Sequence, residues 1–571
     1  MDTKTSKSIN RPTGRCALLF ALALAAATLM TRAANAADTG WTHYGNDAGN
    51  THYSSLAQIK PDNIAHLHAA YAVSLGALRS NQSTPLVVGD TMYVTSSWGP
   101  KFVYALDAAT GAIKWRYQSF VPENVIQFAC CDVGNRGVSY RDGKVFVGQL
   151  DGKLVALDAK TGKPIWKTKV VDYKQGAVIS SPPVIAGNKV ITGFGGGDYG
   201  VRGYLSAYDA DTGKLLWKTY TVPGPGEPGN ETWKGDSWKH GGAASWVPGS
   251  YDPKLNIVYF GTSNPGPWEA GLRSTNTPDG KYVNLYSSSV VALNPDTGKI
   301  LWYIQYTPDD AWDFDGVNES VLADLTIDGK KLPALMHADR NGFLYVANRK
   351  TGRLISAKPF VPVTWATGIN LETGRPIEVP GMRPTLTHEA HVCPSMMGGK
   401  NWQPMSYNPG TGLVYIPALN LCVAEKEDKV EYHKGLMYVG INPFSLYTGP
   451  GGYNGELIAW NPITQAAAWS IHEPLWYLSG VLSTGGGLVF YGTLDGWFKA
   501  VDAKSGKLLW KFYTGSGVNA APITYEVGGR QYIAVVSGRT VTMLSLLGKF
   551  AAPAAEKTAE SGMLFVFALD Q

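Results

Sequence analysis

Cysteine is scarce in this chain, and net charge is small. There are five cysteines in 571 residues. None stands in a Cys-x-x-Cys-His arrangement, so no c-type haem is attached covalently. Lys and Arg exceed Asp and Glu by five, with no basic stripe to supply phosphate contacts. That argues against nucleic acid as a partner. The apolar run at its start, from Ala17 to Met30, is too short to cross a bilayer comfortably, so no membrane span is expected. No Pro/Ser linker divides the remainder, which argues against a string of independent small domains.

The apolar run has a place at the N-terminus. Lys4, Lys7, Arg11 and Arg15 precede it and Ala34-Asn35-Ala36 follows it. This is the pattern of a secretory signal peptide, residues 1–36, cut after Ala36. Cys16 leaves with it and lacks the Leu-x-x-Cys spacing of a lipoprotein signal. Five basic residues and one acidic residue leave too, so the remaining chain, residues 37–571, has a net charge of +1. Export delivers it to an oxidising space, where disulfides persist.

Glycine (66) and tryptophan (18) are plentiful, which suggests an all-β chain rich in tight turns. One phrase recurs: "VYALDAATGAIKW" ending at Trp115, "LVALDAKTGKPIW" at Trp166, "LSAYDADTGKLLW" at Trp217, "VVALNPDTGKILW" at Trp302, "LIAWNPITQAAAW" at Trp469 and "FKAVDAKSGKLLW" at Trp510. Alternating residues before the Asp or Asn read as a strand. The Thr/Ser-Gly pair that follows supplies a turn, with Gly at positive φ. A second strand ends in Trp. A repeat of this length predicts four-stranded blades around an axis, a β-propeller of eight blades in a single domain over residues 37–571, with each Trp packed between neighbouring blades. The stretches outside the repeat, at 118–137, 220–246, 262–288, 305–320, 358–402 and 423–456, are expected to be loops at one end of the propeller, where function concentrates.

Two of the four remaining cysteines are adjacent, Cys130 and Cys131, in "FACCDVGNRG". A bridge between neighbours closes almost no loop, so it removes little entropy from the unfolded chain. The pair either stays reduced or serves something other than stability. With Cys393 and Cys422, three pairings are possible from sequence.

Several motifs then occur in order: the tryptophan repeats, "CCDVGNRG", "GGAASW", "GTSNPGPW", "DAWDFDG", "HADRNGF" and "GGKNW". Together, over essentially the whole chain after residue 36, they resemble the periplasmic quinoprotein alcohol dehydrogenases, the methanol and ethanol dehydrogenases that use pyrroloquinoline quinone (PQQ). The resemblance implies an eight-bladed propeller with PQQ on its axis. It implies that Cys130 and Cys131 form a vicinal disulfide against one face of PQQ, with Trp246 against the other. Such packing suits a flat conjugated ring system. Arg136 matches the arginine that pairs with a PQQ carboxylate. Ser180 occupies the position of a cofactor-binding threonine, Asn401 and Trp402 a segment near the quinone edge, and Gly195 and Gly196 a loop approaching the cofactor. Gln82 stands where a cofactor-contacting glutamate is usual. Trp476 lies near the position of a PQQ-contacting tryptophan, with shifted spacing.

The same resemblance places a metal ion on Asp198, Asn264, Asp313 and Asp315, with Asp313 as catalytic base and Arg340 contacting both quinone and base. Asp198 stands where a glutamate ligand is usual. An aspartate at Asp315 is the feature of the lanthanide-dependent relatives, so a lanthanide(III) is expected, with calcium as the alternative. Strand-like alternation would turn residues 313 and 315 to the same side. The implied reaction is oxidation of a primary alcohol to an aldehyde, with hydride passing to C5 of PQQ and electrons then passing to a separate periplasmic cytochrome c. The family includes both monomers and homodimers. Two rival readings are a non-catalytic propeller that binds proteins, which the repeats alone fit equally well, and a PQQ-dependent sugar or polyol dehydrogenase, which the vicinal cysteines mostly argue against.

Overall fold

The computed structural model describes residues 1–2, 39–277, 280–540, 548–550 and 552–570. The expected signal peptide and its cleavage site lie outside these residues.

Each repeat builds a β-hairpin. In the first, Phe102–Asp107 and Ile113–Gln118 pair antiparallel. Asp107 closes the turn: its Oδ1 accepts the backbone N–H groups of Ala109 (3.1 Å) and Thr110 (3.0 Å) and the Thr110 hydroxyl (2.9 Å). Asp158, Asp209 and Asp502 make the same three contacts in their own copies. The short acidic side chain replaces backbone partners that a two-strand ladder cannot supply at its end.

Most hairpins are the third and fourth strands of a four-stranded antiparallel meander. Consecutive sheets span residues 86–118, 139–169, 184–220, 250–305, 321–359, 406–473 and 482–513, and the last also takes Tyr53–Ser54 as a parallel fifth strand. The eighth such sheet among the described residues joins the two ends of the chain. Ile523–Val527, Arg530–Ser537 and Met563–Ala568 are completed by His68–Ser74 from the N-terminal side. Successive meanders closed by an early strand make a β-propeller.

The signature residues of the repeat meet between sheets. The indole N–H of Trp115 donates to Ala159 O (2.9 Å), of Trp166 to Ala210 O (3.1 Å), and of Trp217 to Pro295 O (2.8 Å). Each of those carbonyls belongs to the turn of the next sheet. The turn glycine there lies against the same indole. A Cβ on Gly162 would come within 2.5 Å of Trp115, and one on Gly213 within 2.6 Å of Trp166. Both glycines also have positive φ. The glycine is thus fixed twice, once by its turn and once by its neighbour's tryptophan.

Two of the stretches expected to be loops contain sheet. Ala366–Ile369 pairs with Pro376–Glu378, and Leu421–Glu427 pairs with both Glu389–Val392 and Ile441–Thr448. The first of these has an Asn-x-x-Thr-Gly turn, Asn370 Oδ1 accepting from Glu372 N–H (2.9 Å) and Thr373 N–H (3.1 Å), but no closing Trp. The second lacks the Asp/Asn-x-x-Thr-Gly-x-x-x-Trp phrase that marked the blades. A disulfide, Cys393–Cys422, fastens the second of these sheets.

Candidate active site

The segment 309–315 is shaped by one buried acid. The Asp310 carboxylate accepts the N–H groups of Trp312 (3.0 Å), Phe314 (2.9 Å) and Asp315 (3.1 Å), and the Ser288 hydroxyl (2.9 Å). The indole of Trp312 and the ring of Phe314 pack on Trp365 in the core. Asp313 and Asp315 alternate with them, but not as a strand: both have φ near +59°. The expected strand-like alternation is therefore replaced by two left-handed residues, which Asp tolerates better than most.

Both carboxylates meet Arg340. Its Nη2 donates to Asp313 Oδ2 at 2.8 Å and to the Met396 carbonyl, and its Nη1 donates to Asp315 Oδ2. Burial pushes the Asp313 carboxyl far above the ordinary carboxylate range. The Arg340 guanidinium opposes the rise, while Asp315, Asp198 and Asp310 add to it. Asp315 is pushed up to about 7, again chiefly by burial and against the pull of Arg340. Asp198 is raised by burial as well, partly offset by the Trp268 indole N–H.

Asn264 links these acids. Its backbone N–H donates to Asp315 Oδ1 (2.5 Å). In the amide orientation that satisfies both of its ends, the carboxamide nitrogen donates to Asp315 Oδ1 (3.1 Å) and the oxygen accepts from Trp268 Nε1 (2.8 Å). Trp268 Nε1 also lies 3.1 Å from Asp198 Oδ1. Asp198, Asn264, Asp313 and Asp315 offer only oxygen ligands, the donor chemistry a hard cation prefers. Among the described residues, no three His, Cys, Asp or Glu side chains are gathered as a ready coordination set. Arg340 supplies the positive charge between two of them.

A second group surrounds Arg136. Cys130 and Cys131 are disulfide-bonded to each other, with the Cys130 sulfur 3.7 Å from Asp198 Oδ2. Arg136 is buried, with its guanidinium 5.2 Å from the Trp246 ring centroid and 4.7 Å from that of Trp402. Its Nη1 donates to Ser180 Oγ at 2.7 Å and reaches Ser181 Oγ at 3.5 Å. Its Nε has no partner among the described residues. Burial lowers its pKa to about 10, opposed by the nearby phenol of Tyr44. A buried guanidinium facing two indoles and, among the described residues, no carboxylate is an unmet anion site. Gln82 lies in the same region of the chain fold, its Oε1 also buried and unpaired, in a space that a Cβ on Gly134 would fill.

The remaining candidates are placed more locally. Gly195 exchanges backbone hydrogen bonds with Val178 and lies beside Trp246, and Gly196 has φ +136° with no room for a side chain against Gly176 O. Asn401 is engaged within its own turn, donating to Met397 O (3.0 Å) and accepting from Trp402 N–H (2.9 Å). Trp476 is buried, and its Nε1 has no partner among the described residues. Sequence reasoning gave no role to Trp268, Asp310 or Tyr44. Trp268 and Asp310 sit in or beside the motifs "GTSNPGPW" and "DAWDFDG". Tyr44 carried no motif signal.

Comparison with known proteins defines the class. The family described as "PQQ: Glucose/ethanol/alcohol dehydrogenase, beta-propeller domain" matches residues 41–368 and 454–533. The chain belongs to the PQQ-dependent quinoprotein alcohol dehydrogenase family. It is 44% identical over 525 residues to a lanthanide-dependent methanol dehydrogenase of Methylacidiphilum fumariolicum (strain SolV), covering 87% of this chain and 84% of that protein. It is 43% identical over 540 residues to quinohemoprotein alcohol dehydrogenase ADH IIB of Pseudomonas putida, covering 91% and 76%. The solved structure of a europium-containing methanol dehydrogenase superposes with a TM-score of 0.89 at 42% identity, covering 93% of this chain and 98% of that one.

Proposed function

We propose that the protein is a periplasmic alcohol dehydrogenase that oxidises primary alcohols to aldehydes with bound PQQ and one metal ion, a lanthanide(III) in preference to calcium. Under this reading residues 1–36 are removed on export, residues 37–571 form one eight-bladed propeller with tryptophan docking, and a separate cytochrome c accepts the electrons. The observation that carries it is Arg136, buried between Trp246 and Trp402 with no carboxylate among the described residues to answer its charge. A planar dianionic or trianionic quinone answers it. The bridged Cys130–Cys131 pair and the oxygen-rich Asp198, Asn264, Asp313 and Asp315 support the same reading.

When bound, PQQ supplies the two-electron acceptor and the cation supplies Lewis acidity. The protein's own residues do the rest. Asp313, with its affinity for protons raised by burial, takes the hydroxyl proton of the alcohol. Arg340 holds Asp313 Oδ2 in place and opposes the rise in its proton affinity, a pull the cation would add to when bound, which favours the ionised form a base needs. Gln82, Arg136 and Ser180 bind the cofactor's polar rim. Trp246 and the Cys130–Cys131 surface hold its plane, with Trp402 and Asn401 at its edge. Aspartate at position 315 adds a carboxylate to the candidate cation set, which favours a trivalent ion. Asp313→Asn is expected to reduce dye-linked alcohol oxidation by at least about 100-fold while the near-ultraviolet absorbance of bound PQQ persists. Normal turnover in that variant would remove Asp313 from the role of base. A preparation that takes up no PQQ with either cation would leave only a binding propeller.

A further inference from the structure

Behind the candidate cation site lies an arginine that touches none of its acids. Arg273 is fully buried, and all five of its N–H donors have partners. Nε donates to Pro267 O at 2.6 Å, and Nη1 donates to Asn284 Oδ1 and Asp309 Oδ1, both at 2.6 Å. Nη2 donates to the Asp310 carbonyl and reaches Trp268 O at 3.5 Å. Four of these five acceptors lie in two segments. Pro267 and Trp268 follow Asn264, and Asp309 and Asp310 precede Asp313 and Asp315. The Asn264 N–H contact to Asp315 joins the same segments on the side facing the acids. Ser274 Oγ and the guanidinium of Arg383 hold Asp309 from other directions.

We propose that Arg273 is a positioning residue for the cation site: its planar fork fixes the separation between Asn264 with Trp268 on one segment and Asp313 with Asp315 on the other. The proposal rests on the metal reading above. A planar guanidinium holds several acceptors at set angles, whereas an ammonium holds them as a point charge. Arg273→Lys therefore keeps the charge opposite Asp309 but releases the geometry.

The test uses the full-length protein, depleted of metal and supplied with PQQ, with Eu(III) and Ca(II) as probes. Europium luminescence titration reads affinity, its lifetime in light and heavy water reads the number of bound waters, and PQQ absorbance reads the cofactor site. Arg273→Lys is expected to weaken Eu(III) binding by at least about tenfold and add bound water, as loosened supporting contacts do at other metal sites, with PQQ absorbance retained. The control is Arg349→Lys, which loosens another buried pair (Arg349 Nε to Asp252 Oδ2, 2.6 Å); it is expected to leave lifetime and affinity unchanged. Should Arg273→Lys fail to fold, Asp309→Asn loosens the same fork and is expected to shift both readings in the same direction. Wild-type lifetime and affinity in whichever of these two variants folds overturn the proposal, and so does an equal loss in Arg349→Lys. Wild-type protein that binds neither cation overturns the metal reading and this proposal with it.

Discussion

Arg136 and Glu425 are both buried ionisable groups without a partner of opposite charge among the described residues, and they differ in what they imply. Arg136 sits between indoles in a site lined by motif residues. Replacing it with Met keeps the apolar stem and volume but removes the desolvated charge. Arg136→Met is expected to leave the cofactor-free protein as stable as the wild type or more so, and to lower PQQ affinity by at least about 100-fold, since a charge-assisted contact is worth roughly 1.5–3 kcal/mol and more when desolvated. Thermal melts with and without PQQ measure both effects. Glu425 lies on Leu421–Glu427 with both carboxylate oxygens buried and unpartnered among the described residues. Burial, with Asp310 and Glu427 adding to it, holds its carboxyl well above the ordinary range. The folded chain therefore keeps a proton that the unfolded chain releases near the ordinary glutamate value of 4.5. Stability falls as pH rises from there toward the folded value. Glu425→Gln is expected to remove that fall, raising stability near pH 8 by on the order of 1–2 kcal/mol and changing nothing below about pH 4. Denaturant melts across pH check the sign. Neither an alternating pattern nor a motif marked Glu425, because a strand's register shows that a position is inward, not that its partner is missing.

The elements divide by how much of their grammar is local. The hairpins were legible because one Asp or Asn accepting two or three contacts, and one positive-φ residue that is Gly in all copies but the one with Gln465, make each turn within five residues of sequence. The tryptophan's destination was legible as a type of contact, since a repeat must bury its face on the next copy. Gly213 shows how tight that contact is. Gly213→Ala places a Cβ within 2.6 Å of Trp166 at a φ of +69°, and is expected to cost about 1–3 kcal/mol; a urea melt measures it. Gly187, at φ +57° with open space around it, is expected to cost less on the same substitution. The 309–315 segment was half legible. Its acids were visible, but its left-handed backbone was not, because Asp310 sets it through hydrogen bonds from Trp312, Phe314 and Asp315 that leave no periodic trace. The inserted sheet at 389–448 was missed because its strands pair across long separations and carry no repeat. The short hairpin at 366–378 has the turn, Asn370 to Gly374, but Glu378 where the blades place their Trp.

At the scale of the whole molecule, the sheet built from His68–Ser74 and Met563–Ala568 joins the ends. Removing residues 563–571 leaves His68–Ser74 unpaired on that side and opens two sheet edges. The truncated chain is expected to lose cooperative unfolding and to aggregate, as seen by light scattering during a thermal scan, whereas removing residues 1–36 is expected to leave the melt of the remaining chain unchanged. Repeats predicted the succession of sheets, but ring closure had no repeat signature, because the closing strand is contributed from far along the chain and carries no Asp-x-x-Thr-Gly turn of its own.

That shared sheet also sets a timetable. The strand His68–Ser74 has no mate until residues 563–568 have been made, so the ring stays unsealed while the meanders between them are synthesised. It can be sealed only where both of these segments are on the same side of any barrier.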